Sequence, residues 1–269
     1  MIKPDLKSLL PSVEKIARQA GAEIMTHYAG TTIYAKDDGS NVTDADYAAE
    51  KIILPALKQL TPEIPIISEE RVASGDIPDF SKGTFWAVDP LDGTHEFISK
   101  TGAFVVAIAL IIDNKAALGV VYHPAMDVLY SGIGPGTASR LNSDGTRTPL
   151  PLTGLLASKT MRILVNKRNA DMPRIEKYLE RFDRPLEIDT QSGIMRVCQV
   201  AEGRADMSVV CMNRPGGRIA FWDVAPGHAI IDSAGGRIET LQGQPLRYDA
   251  ADLHVTPHIV ISAHQVENF

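Results

Sequence analysis

The longest unbroken apolar run, residues 104–112, sets the first limit on what this chain folds into. It falls far short of the ~20 residues that a bilayer-spanning helix requires. Its β-branched content reads as a strand. Segments 64–68, 84–89, 103–112, 117–122 and 128–131 share that character and are predicted as short strands. Ahead of them Val13, Ile16, Ala17, Ala20 and Ile24 recur at helical spacing, which predicts an amphipathic helix over 12–28. A second helix opens near Thr43 or Asp44 and carries Ala49, Ile52, Ile53, Ala56 and Leu60. Pro55 is expected to kink or shorten it.

Residues 132–154 are dense in Gly, Ser, Thr and Pro. The Asp144-Gly145 pair favours two strands turning there over an interdomain linker. The second half alternates, with strands at 161–165 and 205–210 and helices near 172–181 and 194–202. A further helix opens near Trp222-Asp223 and stops at Gly235-Gly236. This is a mixed α/β pattern. At about 150 residues per domain, 269 residues make one large domain or two coupled halves. We place the halves at 1–155, with an acidic turn, and 156–269, closing over it.

The chain carries 27 Lys and Arg against 33 Asp and Glu, a net charge of −6. That balance argues against a nucleic-acid polymer as partner. It leaves anionic small molecules open, because a bound metal ion reverses the local potential. The two cysteines, Cys198 and Cys211, imply no disulfide framework and read as buried thiols in a reducing compartment. No signal-length apolar core appears near the N-terminus. The expectation is a soluble, cytoplasmic protein, with peripheral contact at the inner membrane left open.

Chemistry concentrates in Trp86-Ala87-Val88-Asp89-Pro90-Leu91-Asp92-Gly93-Thr94. An apolar strand delivers Asp89, Pro90 forces a turn, and Asp92 follows three positions on. Two carboxylates on a rigid turn suit a hard divalent cation, and the Leu91 carbonyl can add a neutral oxygen. Gly93 admits a backbone conformation closed to other residues and lets a ligand approach closely. A short helix starting after Gly93 would aim its free N–H groups, and the Thr94 hydroxyl, at a phosphate. Glu69-Glu70 ends the strand at 64–68, and Asp223 opens a later helix. Each alone reads as a solvated strand end or a helix cap. Together with the Asp89–Thr94 segment they supply oxygen ligands for a two-metal phosphoryl-transfer site. His95 reads as a surface or capping residue, with substrate contact as the alternative.

Glu69-Glu70, Asp89-Pro90-Leu91-Asp92-Gly93-Thr94 and Trp222-Asp223-Val224-Ala225-Pro226-Gly227 resemble the Mg²⁺-dependent, lithium-sensitive inositol monophosphatase-like phosphatases over nearly the whole chain. Within that superfamily, His95-Glu96-Phe97-Ile98, Val200-Ala201-Glu202-Gly203 and Gly227-His228-Ala229 are most similar to the bacterial 3′(2′),5′-bisphosphate nucleotidases. The resemblance implies a layered αβαβα sandwich with two or three Mg²⁺ ions held by Glu69, Asp89, the Leu91 carbonyl, Asp92 and Asp223. It implies that Glu69, Thr94 and Asp46 activate the attacking water, and that Gly93 and Thr94 hold the phosphate. The implied reaction removes the 3′-phosphate of adenosine 3′,5′-bisphosphate, in sulfate assimilation. Lys167, Arg168 and Arg196 keep positive charge for a second phosphate, with solvated surface charge as the alternative for each. The segments around Asn166–Asn169 and Ser192–Arg196 depart from the nucleotidase pattern. Inositol or sugar phosphates are therefore alternative substrates, with Glu202 a candidate reader of ring hydroxyls, and a metabolite-binding sensor is the non-enzymatic alternative. Arg214 and Arg218, in an unusually long connection before Trp222, reach substrate or solubilise a loop. Relatives include monomers and dimers, so a homodimer stays open.

Overall fold

The computed structural model describes residues 4–36, 39–151, 159–166, 170–191, 193–213 and 218–263. Helix α1 (Leu6–Thr26) starts earlier than the apolar spacing predicts, because the Asp5 carboxylate accepts from Lys7 N and caps it. A small ribbon of β1 (Ile33–Ala35) and β2 (Asn41–Thr43) leads into α2 (Asp44–Leu60). Pro55 neither ends nor shortens α2. Its missing N–H would have bonded the carbonyl of Lys51, on an exposed residue where water can substitute.

Seven strands then form one sheet in chain order: β3 (Ile66–Ser68), β4 (Phe85–Asp92), β5 (Val105–Ile112), β6 (Lys115–His123), β7 (Val128–Gly132), β8 (Ser139–Leu141) and β9 (Arg147–Pro149). Only β3 and β4 run parallel; every other neighbouring pair is antiparallel. The β8–β9 pair turns at Asp144-Gly145, as the composition predicts. Two short helices, α3 (Glu69–Ala73) and α4 (Thr94–Ile98), leave the ends of β3 and β4.

The second sheet is built from β10 (Met161–Val165), β11 (Leu186–Thr190), β12 (Met207–Cys211), β14 (Arg237–Thr240) and β16 (His258–Ser262), in the order β11-β10-β12-β16-β14. The remaining elements are α5 (Met172–Leu179), α6 (Met195–Glu202), β13 (Ile219–Ala220), α7 (Phe221–Ser233) and β15 (His254–Val255).

The alternation of side chains on β5 shows how the layers stack. Val106, Ile108 and Leu110 face Ala17, Ile24, Ala49 and Ile53 of α1 and α2. Val105 and Ala107 face the other way, onto α6 and α7, which in turn meet Leu164, Val210, Ile259 and Ile261 of the second sheet. Ile163, Val209 and Val260 point outward onto Ile175 and Leu179 of α5. The order is helix, sheet, helix, sheet, helix. Cys198 and Cys211 are buried free thiols within it.

Candidate active site

The parallel ends of β3 and β4 bring two acidic segments side by side. Glu69 and Glu70 do not finish the strand, as the sequence suggests, but open α3. Asp89-Pro90-Leu91-Asp92 is likewise not a turn beyond the strand. It is a bulged continuation of β4, in which Asp89 pairs Ala107 and Asp92 pairs Val105. The bulge places one extra residue against β5 and bends the strand. Asp89 is further held because its Oδ1 accepts from Leu91 N at 2.9 Å. Gly93 then adopts φ +95, and a Cβ there would stand 2.9 Å from the Ala103 carbonyl. No residue with a side chain fits without strain.

Asp46 sits at the third position of α2 in a reciprocal cap with Thr43. Its Oδ2 accepts from the Thr43 amide at 2.8 Å and from the Thr43 hydroxyl at 2.7 Å. Its Oδ1 faces the Thr94 hydroxyl at 3.2 Å, while the Leu91 carbonyl is 3.3 Å from the same hydroxyl. Asp46 and Thr94, two of the residues to which the resemblance gives the activation of water, are thus within hydrogen-bond reach of each other.

Asp223 arrives from the start of α7, its Oδ2 accepting from Ala220 N at 3.3 Å. Asp92 reaches across to the second half, where Ile194 N donates to its Oδ2 at 2.6 Å. Gly193 has φ +64, and a Cβ on it would meet that same Oδ2 at 2.5 Å. Arg196 lies deep beside Asp92 and Asp223; its Nε and Nη1 are buried with no hydrogen-bond partner among the described residues. A cavity of about 200 Å³ opens here, with Asp92, Asp223, Asn166 and Arg196 at its polar side and Val210, Met212, Ile219 and Ile259 among its apolar walls.

The carboxylates repel one another. Burial, then the charges of Glu69, Asp92 and Asp223, hold Asp89 well above the usual carboxylate range. Burial, then Asp92 and Glu69, do the same to Asp223. Asp92 is pushed up to about 6 by burial, although the Ile194 amide and Arg196 pull it back. Asp46 is pushed up to about 6, mainly by burial. Buried oxygens of one sign that raise each other in this way suit a hard divalent cation between them. Among the described residues no three acidic, His or Cys side chains are already drawn together as a closed metal cage.

Lys36, which the sequence reading missed, supplies the one ammonium against Glu69 and Glu70 among the described ion pairs. A lone Lys in the polar stretch after β1 carries no signal by which to find it. One expectation needs correction. Glu202 does not reach the site: it is buried at the far end of α6 from Arg196, with its carboxylate bound by Tyr130, Arg140 and Arg204. Of the two readings of Arg218, its exposed pair with Asp252 fits the solubilising one. His95 is a surface residue whose Nδ1 lies 3.3 Å from Ser99 Oγ. Lys167, Arg168 and Arg214 lie outside the described residues.

Known proteins carry the same pattern. Residues 5–268 match the inositol monophosphatase family. The 3′(2′),5′-bisphosphate nucleotidase CysQ of Escherichia coli K12 is 35% identical over 257 residues, covering 94% of this chain and 99% of that protein. The enzyme of the same name from Aggregatibacter actinomycetemcomitans is 32% identical over 264 residues, 96% of this chain and 93% of its own. Among solved structures, CysQ from Bacteroides thetaiotaomicron superposes with a TM-score of 0.77 at 27% identity, covering 97% of this chain and 98% of that one. With the match running across both sheets and every acidic segment of the site, the chain belongs to the inositol monophosphatase family.

Proposed function

We propose that this phosphoric monoester hydrolase removes the 3′-phosphate of adenosine 3′,5′-bisphosphate, giving AMP and phosphate by direct attack of water. The observation that carries the reading is the Thr94 hydroxyl, held 3.2 Å from Asp46 beside the carboxylate cluster. A threonine hydroxyl that donates to a carboxylate keeps lone pairs free to accept from a water. As that water attacks phosphorus, its proton passes toward Thr94 and Asp46. Burial puts Asp46 at about 6, close to neutral pH, where a general base works best. Glu69 orients the same water, and the amides of Gly93 and Thr94 hold phosphoryl oxygens. Glu69, Asp89, the Leu91 carbonyl, Asp92 and Asp223 would hold two or three Mg²⁺ ions. When bound, Mg²⁺ supplies acidification of water and charge neutralisation at the attacking and leaving oxygens.

The substrate choice has two supports. The relatives that match over nearly the whole chain bear the nucleotidase name. The cavity beside Asp92 offers apolar walls for a base and the buried Arg196 guanidinium for a second phosphate. A ring-polyol reading loses its candidate residue, since Glu202 is committed elsewhere. Lys167 and Arg168 stay in the proposal as further phosphate contacts on the strength of their charge alone.

The test is phosphate release from adenosine 3′,5′-bisphosphate, inositol 1-phosphate and fructose 1,6-bisphosphate with and without Mg²⁺, compared by kcat/KM. Preference for the nucleotide and loss of release on Mg²⁺ removal are expected. Preference for either other substrate would overturn the nucleotide assignment, and no Mg²⁺-dependent release from any would overturn the mechanism. At fixed Mg²⁺, LiCl is expected to inhibit where equal NaCl does not.

A further inference from the structure

The carboxylate of Glu69 is already bound by a cation of the chain's own. Lys36 Nζ lies 2.6 Å from Glu69 Oε1 and 2.8 Å from Glu70 Oε1, and its side chain is only 13% exposed. It follows β1, a strand whose three residues are all exposed and which pairs with β2 alone. Lys36 also lines a cavity of about 510 Å³, together with Tyr34, Tyr47, Glu50, Glu70 and Arg71. Lys36 therefore reaches the site from a lightly held segment and has room to leave it.

We propose that Lys36 is an internal competitor for divalent cation at Glu69, covering that carboxylate until a cation takes it and then withdrawing toward Glu70 and Glu50. The inference rests on the reading of Glu69 as a cation ligand. An oxygen with an ammonium nitrogen at 2.6 Å has little freedom to join a hard cation as well, and the two positive charges repel at that range. Glu70 keeps a hold on Lys36 throughout. Burial would push the Lys36 amine down, but Glu69 and Glu70 hold it far above its ordinary value, so it stays charged. A protein whose cation-competent form is only a fraction of the whole binds more weakly by that fraction. The device would keep the water-activating carboxylate shut at low divalent cation. A purely structural role makes the opposite prediction: if Lys36 only props Glu69 in place, removing it weakens cation binding.

Calorimetric titration of Mg²⁺ into chelator-treated protein separates the two. Lys36→Met is expected to bind Mg²⁺ about tenfold more tightly than the unaltered chain, as for a competitor present nine-tenths of the time. Lys36→Arg, which keeps the charge, is expected to stay close to the unaltered chain. Equal or weaker binding by Lys36→Met would overturn the competition while leaving Glu69 as a ligand. No Mg²⁺ binding by either chain would overturn the ligand reading and this inference with it. A second measurement uses the unaltered protein: acetylation of the Lys36 amine, read by mass spectrometry, should rise severalfold on adding Mg²⁺. Unchanged labelling would count against withdrawal even if the Met variant failed to fold.

Discussion

Asp92 and Thr94 stand two residues apart yet fail differently when altered. Asp92→Asn keeps the side chain's size and removes the charge that the proposed cation site needs. Turnover is expected to fall roughly 10²-fold or more, at least what loss of an outer partner costs a metal site. The measurement is kcat against Mg²⁺ concentration, and unchanged kcat at every concentration would refute the assignment. Thr94→Ala removes only the hydroxyl that the proposed mechanism sets between Asp46 and the water, so kcat should drop about 10²–10⁴-fold with KM little changed. Thr94→Ser should restore most of it. These residues were legible because Asp89-Pro90-Leu91-Asp92-Gly93-Thr94 is a local signature. Lys36 was not, because its meaning lies entirely in a contact with Glu69 and Glu70, more than thirty residues away.

α7 is pressed between the two sheets. β6 makes room for it with Gly119, where a Cβ would lie 2.1 Å from the Pro226 carbonyl. Gly119→Ala should therefore cost about 1–3 kcal/mol through overpacking. A lower melting temperature checks it, and turnover should fall too, because Asp223 rides on the same helix. The strands β3 to β7, β10 and β12 were readable from runs of β-branched and aromatic residues, while β14 and β16 went unread. So did β11: Leu186–Thr190 is intermediate to exposed throughout, so burial imposes no pattern on it. Pro55 misled for a related reason. Proline forbids a hydrogen bond, and the cost is small where the lost acceptor faces water.

In the whole molecule, the buried acids set stability against charge. Asp92 moves from 3.8 to about 6 on folding. The folded chain therefore binds more protons than the unfolded chain between those values, and stability drops as pH rises through that window. Metal-free protein should melt lower at pH 7.5 than at pH 5. Mg²⁺ at a hundred times its Kd should add about 2.7 kcal/mol, or roughly 5–10 °C for a chain of this size. The gain should be larger at pH 7.5, where the carboxylates need the cation most. A melting temperature that Mg²⁺ leaves unmoved at both pH values would count against the cluster as its site. The layered architecture was legible only through family resemblance, because the lone apolar run on β5 does not say what covers each face.

The 2.6 Å bond from Ile194 N to Asp92 joins residues 102 positions apart. One oxygen of the proposed cation ligand thus touches the start of the helix that carries Arg196. If occupancy at one place alters affinity at the other, linkage makes the effect reciprocal. Whatever factor saturating Mg²⁺ applies to the Kd for AMP, saturating AMP must apply to the Kd for Mg²⁺. The seam between the two halves of the chain is, in this sense, a communication line, and one of its wires is a backbone amide.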